Sequence, residues 1–322
     1  MRLSVIIVNY RTPQLVLDCL HSLQTEIDAE QEVVVVVDNA SEDGSLEKIA
    51  AAITANRWQQ WVKLLASSVN GGFSAGNNLG IKAFPADCYL LLNSDTIVRP
   101  GAIRSLLSAT HAHQNAGLVS PRLEWPDETP QVSCFRYLSP VSEFINAAAT
   151  GPITKLLNRY NVPLPLSDSP SEPEWTSFAC VLIRREVIEQ LGLMDEGYFM
   201  YYDDVDYCRR AKRAGWKILH WPEARVVHLR GGSGPVKDAI ATRKRPKRYL
   251  YESRARYFGR FYGRFGCLMA NTCWLAGRSI SFCRELFGQK KPHTCQYAGR
   301  DIWTNWFTPL KHPVIQEQNH GC

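Results

Sequence analysis

Apolar residues enter this chain in short unbroken runs, each stopped by polar residues. Leu3-Ser4-Val5-Ile6-Ile7-Val8 gives way to Asn9-Tyr10. The five valines at 33–37 give way to Asp38-Asn39, and Tyr89-Leu90-Leu91-Leu92 to Asn93-Ser94-Asp95. Such runs predict strands covered on both faces of a mostly parallel sheet. Thr12-Pro13 opens a helix whose Leu15, Cys19, Leu20 and Leu23 share one face, with Thr12 as the expected N-cap and Pro13 in the first turn. Residues 46–55 have helix composition, and residues 62–66 read as a third strand. The series is βαβ, hence a doubly wound α/β domain. Right-handed crossovers place Asn9, Asp38 and Asp95 on one sheet edge, where the ligands of such sheets gather.

Further on, Asn70-Gly71-Gly72-Phe73-Ser74 allows close backbone approach, and Ser74 is an expected helix cap. Gly76 and Gly80 offer a small face for tight packing. A packed helix and a ligand loop both fit this stretch. A helix follows Pro100-Gly101 to about His113, and Gly117-Leu118-Val119-Ser120 reads as a strand. Residues 122–174, richer in Pro and Ser, read as an insertion that contacts the acceptor. Residues 175–183 read as a strand. Asp203-Asp204-Val205-Asp206 opens a helix running to Ala214-Gly215. Acids in a first turn suit the helix dipole, but three in four positions exceed what a cap needs and can supply a base. Residues 216–220 and 225–228 read as short strands, the second ending at His228.

Taken in order, these pieces resemble the inverting glycosyltransferases of family 2, with a GT-A fold, and among them bacterial rhamnosyltransferase-like members. The matching residues are Val5 to Tyr10, Val37-Asp38-Asn39-Ala40-Ser41, Asn70-Gly71-Gly72-Phe73 through Asn77-Asn78, and Leu92-Asn93-Ser94-Asp95. Asp195-Glu196-Gly197-Tyr198-Phe199, Asp203-Asp204-Val205-Asp206 and His228 complete the set. The resemblance implies a Rossmann-like, mostly parallel central sheet with flanking helices over residues 1–235. It implies a nucleotide-sugar site: Asp38 at the base, Asn9 and Tyr10 lining that pocket, then Asn39, Gly72, Phe73 and Asn77, with Asn93, Ser94 and Asp95 at the diphosphate. Asp95 would bind Mg²⁺ or Mn²⁺, with His228 as second ligand. Asp204 would be the catalytic base, with Asp203 and Trp175 on the acceptor side. A hard cation neutralises charge gathering on the leaving diphosphate, and a carboxylate takes the acceptor proton. Inversion needs one base rather than the paired carboxylates of a glycosidase. Implied partners are a dTDP-, UDP- or GDP-linked sugar and a glycan or polyprenyl-linked acceptor in cell-surface polysaccharide synthesis. The family often has Asp-x-Asp where Asn93-Ser94-Asp95 stands, and Gly where Phe178 stands.

Charge changes the picture at one end. Residues 1–235 carry 21 Lys/Arg and 26 Asp/Glu, a net of −5; residues 236–322 carry 16 and 5, a net of +11. The tail is thus a basic, aromatic-rich helical extension, and an anionic membrane surface is its candidate partner. Nucleic acid is not expected. In the tail Arg256, Arg260 and Arg264 stack at helical spacing beside Tyr257, Phe261 and Phe265. This stripe suits either an interfacial helix or a packed helix with a solvated Arg face. The competing reading is a non-catalytic membrane- or nucleic-acid-binding protein using this tail. A dinucleotide enzyme is disfavoured, because no glycine follows the first strand. Ten scattered cysteines show no metal spacing. With neither a signal peptide nor a membrane-span run in view, the expected place is the cytoplasm, peripheral to the inner face of the membrane.

Overall fold

The computed structural model describes residues 1–229, 235–288 and 291–311. Strands β1 (Leu3–Asn9), β2 (Glu32–Asp38), β3 (Val62–Ala66), β4 (Cys88–Asn93), β5 (Thr96–Val98) and β6 (Ala116–Glu124) come first. β7 (Cys134–Phe135), β8 (Trp175–Thr176), β9 (Cys180–Arg184) and β10 (Lys217–His228) follow. Eight of them form one sheet in the order β3-β2-β1-β4-β9-β6-β10-β5, while β7 and β8 pair separately. The β3-β2-β1-β4 half is parallel; β9 runs against β4 and β6, and β5 against β10.

The helices are α1 (Pro13–Leu23), α2 (Ser45–Ala55), α3 (Gly72–Ala83), α4 (Ala102–Ala112), α5 (Pro140–Ala148) and α6 (Gly151–Leu156). After them come α7 (Arg185–Leu191), α8 (Asp203–Arg213), α9 (Pro235–Ala241), α10 (Arg248–Leu286) and α11 (Ala298–Asp301). Period-two alternation explains the unbroken apolar runs. Val34 and Val36 pack with Val16, Leu20, Ile49 and Leu106 on one face, while Val33, Val35 and Val37 pack with Ile81, Val187 and Tyr207 on the other. Both faces are covered, so the sheet needs apolar residues throughout.

Several local expectations change. Ser74 lies inside α3, which begins at Gly72, so its buried hydroxyl caps nothing. The strand read at 175–183 is two, β8 and β9, and the two short strands before His228 are one, β10.

The chain divides into two compact units. The first comprises residues 1–135, 164–196 and 204–233, and holds the sheet. The second comprises 136–163, 197–203 and 234–322, so it draws two internal segments to the tail. Within it α5 packs on α10 around a buried ion pair, Arg254 to Glu143 at 2.7 Å. Of the tail stripe, Arg256 and Tyr257 are packed. Arg256 lies 5.6 Å from the Tyr198 ring, and the Tyr257 hydroxyl donates to the Leu138 carbonyl at 3.1 Å. No described helix is long and apolar enough to cross a membrane.

Candidate active site

The carboxyl ends of β1, β2 and β4 set their last residues side by side: Asn9 pairs with Asp38, and Val8 with Asn93. Asn9 is buried. Its Nδ2 donates to Asp38 Oδ1 (2.7 Å) and Ser41 Oγ (3.1 Å). Its Oδ1 accepts from the Thr12 N–H (3.2 Å) and hydroxyl (3.3 Å). Asn9 therefore anchors the residue that precedes α1, and Thr12 sits at the N-cap without a side-chain capping bond. Ser41, which carries no role in the sequence reading, ties the corner together. It gives Asp38 its hydroxyl (2.6 Å) and its N–H (3.1 Å), and accepts the Arg11 N–H (3.0 Å). Its place in the Val37–Ser41 motif, three residues after Asp38, was the signal available. Arg11, Ala40 and Glu42, all non-glycine, have φ of 58°, 55° and 53°. Such strain gathers at functional sites.

Asn39 Nδ2 donates to Asn70 Oδ1 (2.9 Å) and the Gly72 carbonyl (3.0 Å), stitching the β2 turn to the glycine loop. Gly72 needs its freedom there, at φ +83°. Tyr10 is exposed at the rim, and Phe73 is half-buried against the core. Asn77 turns back on its own helix, to the Phe73 carbonyl (2.9 Å). Its neighbour Asn78 reaches outward, bonding both the N–H and carbonyl of Met194 (3.1 and 2.9 Å) and Glu196 Oε1 (2.9 Å).

Asp95 follows β4, and the β5–β10 pairing sets His228 opposite Thr96. Both side chains are buried, with His228 Nε2 3.4 Å from Asp95 Oδ1. Neither ring nitrogen of His228 has a hydrogen-bond partner among the described residues. A buried imidazole in that condition, beside a carboxylate, fits a site that receives a cation. Among the described residues no third His, Cys, Asp or Glu joins them in such a group. Gln131, unforeseen in a Pro-rich stretch, holds the His228 carbonyl at 2.7 Å.

Asp204 reaches the same edge by another route. The Asn93 N–H donates to the Ala179 carbonyl (2.9 Å). Phe178, next to Ala179, gives its N–H to the Asp204 carboxylate, and the Val205 N–H adds a second bond at 2.8 Å. Asp95 and Asp204 thus flank one short stretch of β4–β9 backbone. Burial pushes the Asp204 carboxyl up to about 6, against the pull of those N–H groups. Asp203 is buried at the start of α8, and Ser94 lies with its hydroxyl 3.4 Å from that of Thr12. Trp175 stacks on Phe135 at 4.2 Å, three residues before Phe178.

A family model described as glycosyltransferase-like family 2 matches residues 1–251. The chain belongs to this family. Similar proteins include an N-acetylglucosaminyl-diphospho-decaprenol L-rhamnosyltransferase of Mycobacterium tuberculosis, 31% identical over 230 residues, covering 66% of this chain and 72% of that one. The low-salt glycan biosynthesis hexosyltransferase Agl10 of Haloferax volcanii is 28% identical over 235 residues, covering 70% and 66%. Among solved structures, the Pyrobaculum calidifontis mannosyltransferase PcManGT, in complex with GDP-Man and Mn²⁺, superposes with a TM-score of 0.56 at 14% identity, covering 96% of this chain and 84% of that one. The fold of this glycosyltransferase is GT-A. It is an enzyme, which sets aside the reading as a non-catalytic binder.

Proposed function

We propose that this glycosyltransferase moves a sugar, with rhamnose the leading candidate, from a nucleotide-diphosphate donor to a hydroxyl of a glycan or polyprenyl-linked acceptor in cell-surface polysaccharide synthesis. The observation that supports this reading is the Asn93–Ala179 backbone bond: Asp95 follows two residues after Asn93, and Phe178, beside Ala179, bonds Asp204. Rhamnose and a lipid-linked acceptor are the chemistry named for the M. tuberculosis relative. The donor base is dTDP, UDP or GDP.

In this reading Asp38, Asn9, Tyr10 and Asn39 hold the nucleoside, with Gly72, Phe73 and Asn77 shaping the loop beside it. Asn93, Ser94 and Asp95 face the diphosphate. Asp95 and His228 would hold Mg²⁺ or Mn²⁺, the latter present with the mannosyltransferase neighbour. Bound there, the cation would neutralise charge on the leaving diphosphate. Asp204 takes the proton of the acceptor hydroxyl as its oxygen forms a bond to the anomeric carbon. The bond to the diphosphate oxygen breaks, its electron pair leaves with the nucleotide, and the configuration inverts. Asp203 and Trp175 lie on the acceptor side. A lipid-linked acceptor would bring the enzyme to the cytoplasmic face of a membrane, where the basic tail meets anionic headgroups.

A thermal-shift screen of UDP, dTDP and GDP with Mn²⁺ tests the donor side. One nucleotide should raise Tm, and only with the metal. No shift with any of the three would remove the nucleotide-sugar assignment.

A further inference from the structure

Helix α10 breaks at Gly263, whose φ is 70° and ψ −177°. Beyond the break its residues are distributed in an unusual way. The buried face is mostly small: Gly266, Cys267, Ala270, Gly277 and Ser281, with Asn271 the one larger residue among them. It lies so close to α5 that a Cβ on Gly277 would stand 2.3 Å from the Phe144 carbonyl oxygen. The large apolar side chains point the other way. Phe265 is 73% exposed, Phe282 49% and Leu286 68%, with Met269 and Leu275 also open. At about 100° per residue these five fall within one arc of roughly 140°. The arc also carries Thr272, Ser279 and Arg264 but no carboxylate. Glu285, the single acid between 264 and 286, is turned to Arg278 at 2.8 and 2.9 Å. Contiguous exposed apolar surface on this scale marks an interaction site.

We infer that this face of α10 lies flat on an anionic lipid surface, its large side chains entering the headgroup–acyl boundary. Charge selects this occupant. The segment 236–322 carries a net +11, with exposed Arg264 at one end of the face. A second copy would bring the same positive charge against it, whereas anionic headgroups complement it. Arg264, Arg278, Arg284 and Glu285 exclude a span, and an apolar face about 33 Å long beside basic residues suits a helix in the interface plane. The face is distinct from the Arg256–Tyr257 turns, which are packed. The inference rests on the exposure of α10 and not on the transfer reaction.

The test is flotation of the full chain, without nucleotide sugar, with vesicles of phosphatidylcholine alone or of equimolar phosphatidylcholine and phosphatidylglycerol. The protein should float with the anionic vesicles only. Leu275→Asp with Phe282→Asp should cut the floated fraction at least about tenfold. Because both sites are exposed, circular dichroism should be unchanged. A second variant, Arg264→Gln, should weaken flotation and make what remains less sensitive to salt. Wild type that stays at the bottom with anionic vesicles, or an aspartate variant that floats as well, overturns the inference. So does a dimer of the wild type, found by light scattering, that the aspartates dissociate while flotation is absent.

Discussion

At the scale of single residues, the proposed chemistry turns on one carboxyl whose proton is held more tightly than usual. Asp204 sits at about 6 because burial disfavours its charge. A base must be ionised, so the transfer rate should climb tenfold per unit of pH up to about 6 and level off above it. Asp204→Asn should lower kcat by ~10²–10⁴-fold and remove that inflection. A flat pH–rate profile in the wild type would count against the base. The sign for stability runs the other way. A carboxyl raised in the folded state adds stability below its unfolded value and loses it as pH rises through about 6. The Asp204→Asn protein should therefore melt no lower than wild type at about pH 8, as scanning calorimetry would show. Asn78, by contrast, serves the structure, since its amide makes three bonds to Met194 and Glu196.

At the scale of elements, α3 shows what glycine does here. A Cβ on Gly80 would stand 2.7 Å from Ile6 Cγ2, and one on Gly76 would stand 2.8 Å from Val8 Cγ1. Gly80→Ala should cost ~1–3 kcal/mol by pushing α3 off β1, read as a lower denaturant midpoint with an unchanged slope. In the second unit, Glu143→Leu alone strands the Arg254 charge and should cost ~3–5 kcal/mol, more than Glu143→Leu with Arg254→Met. The parallel strands and first helices were legible because both faces of each strand are buried and the pattern is local. The Gly76–Gly80 spacing was legible too. What escaped was long-range. β5 is three residues long and exists because β10 pairs with it. Gln131 and Ser41 carry no periodic signal, and the Asp204–Phe178 bond depends on a chain reversal that no local pattern announces. Asp38, Asp95, Asp204 and His228 were singled out through the ordered motifs of the family resemblance, not through spacing alone.

At the scale of the whole molecule, an acidic catalytic portion and a basic tail share one chain, with nets of −5 and +11. The charge shift near residue 235 was legible, but the joining of 136–163 and 197–203 to the tail was not, since it arises from packing such as α5 on α10. Chelation should abolish transfer and Mn²⁺ should restore it, with Asp95→Asn needing at least about tenfold more metal. The central claim is that Asp95 and Asp204 serve one reaction in separable roles. It is tested most directly by single-turnover nucleoside-diphosphate release from an Mn²⁺-loaded enzyme–donor–acceptor complex of Asp204→Asn. Donor binding at the wild-type level with release slowed at least about a hundredfold is the predicted result. Release at the wild-type rate would contradict it.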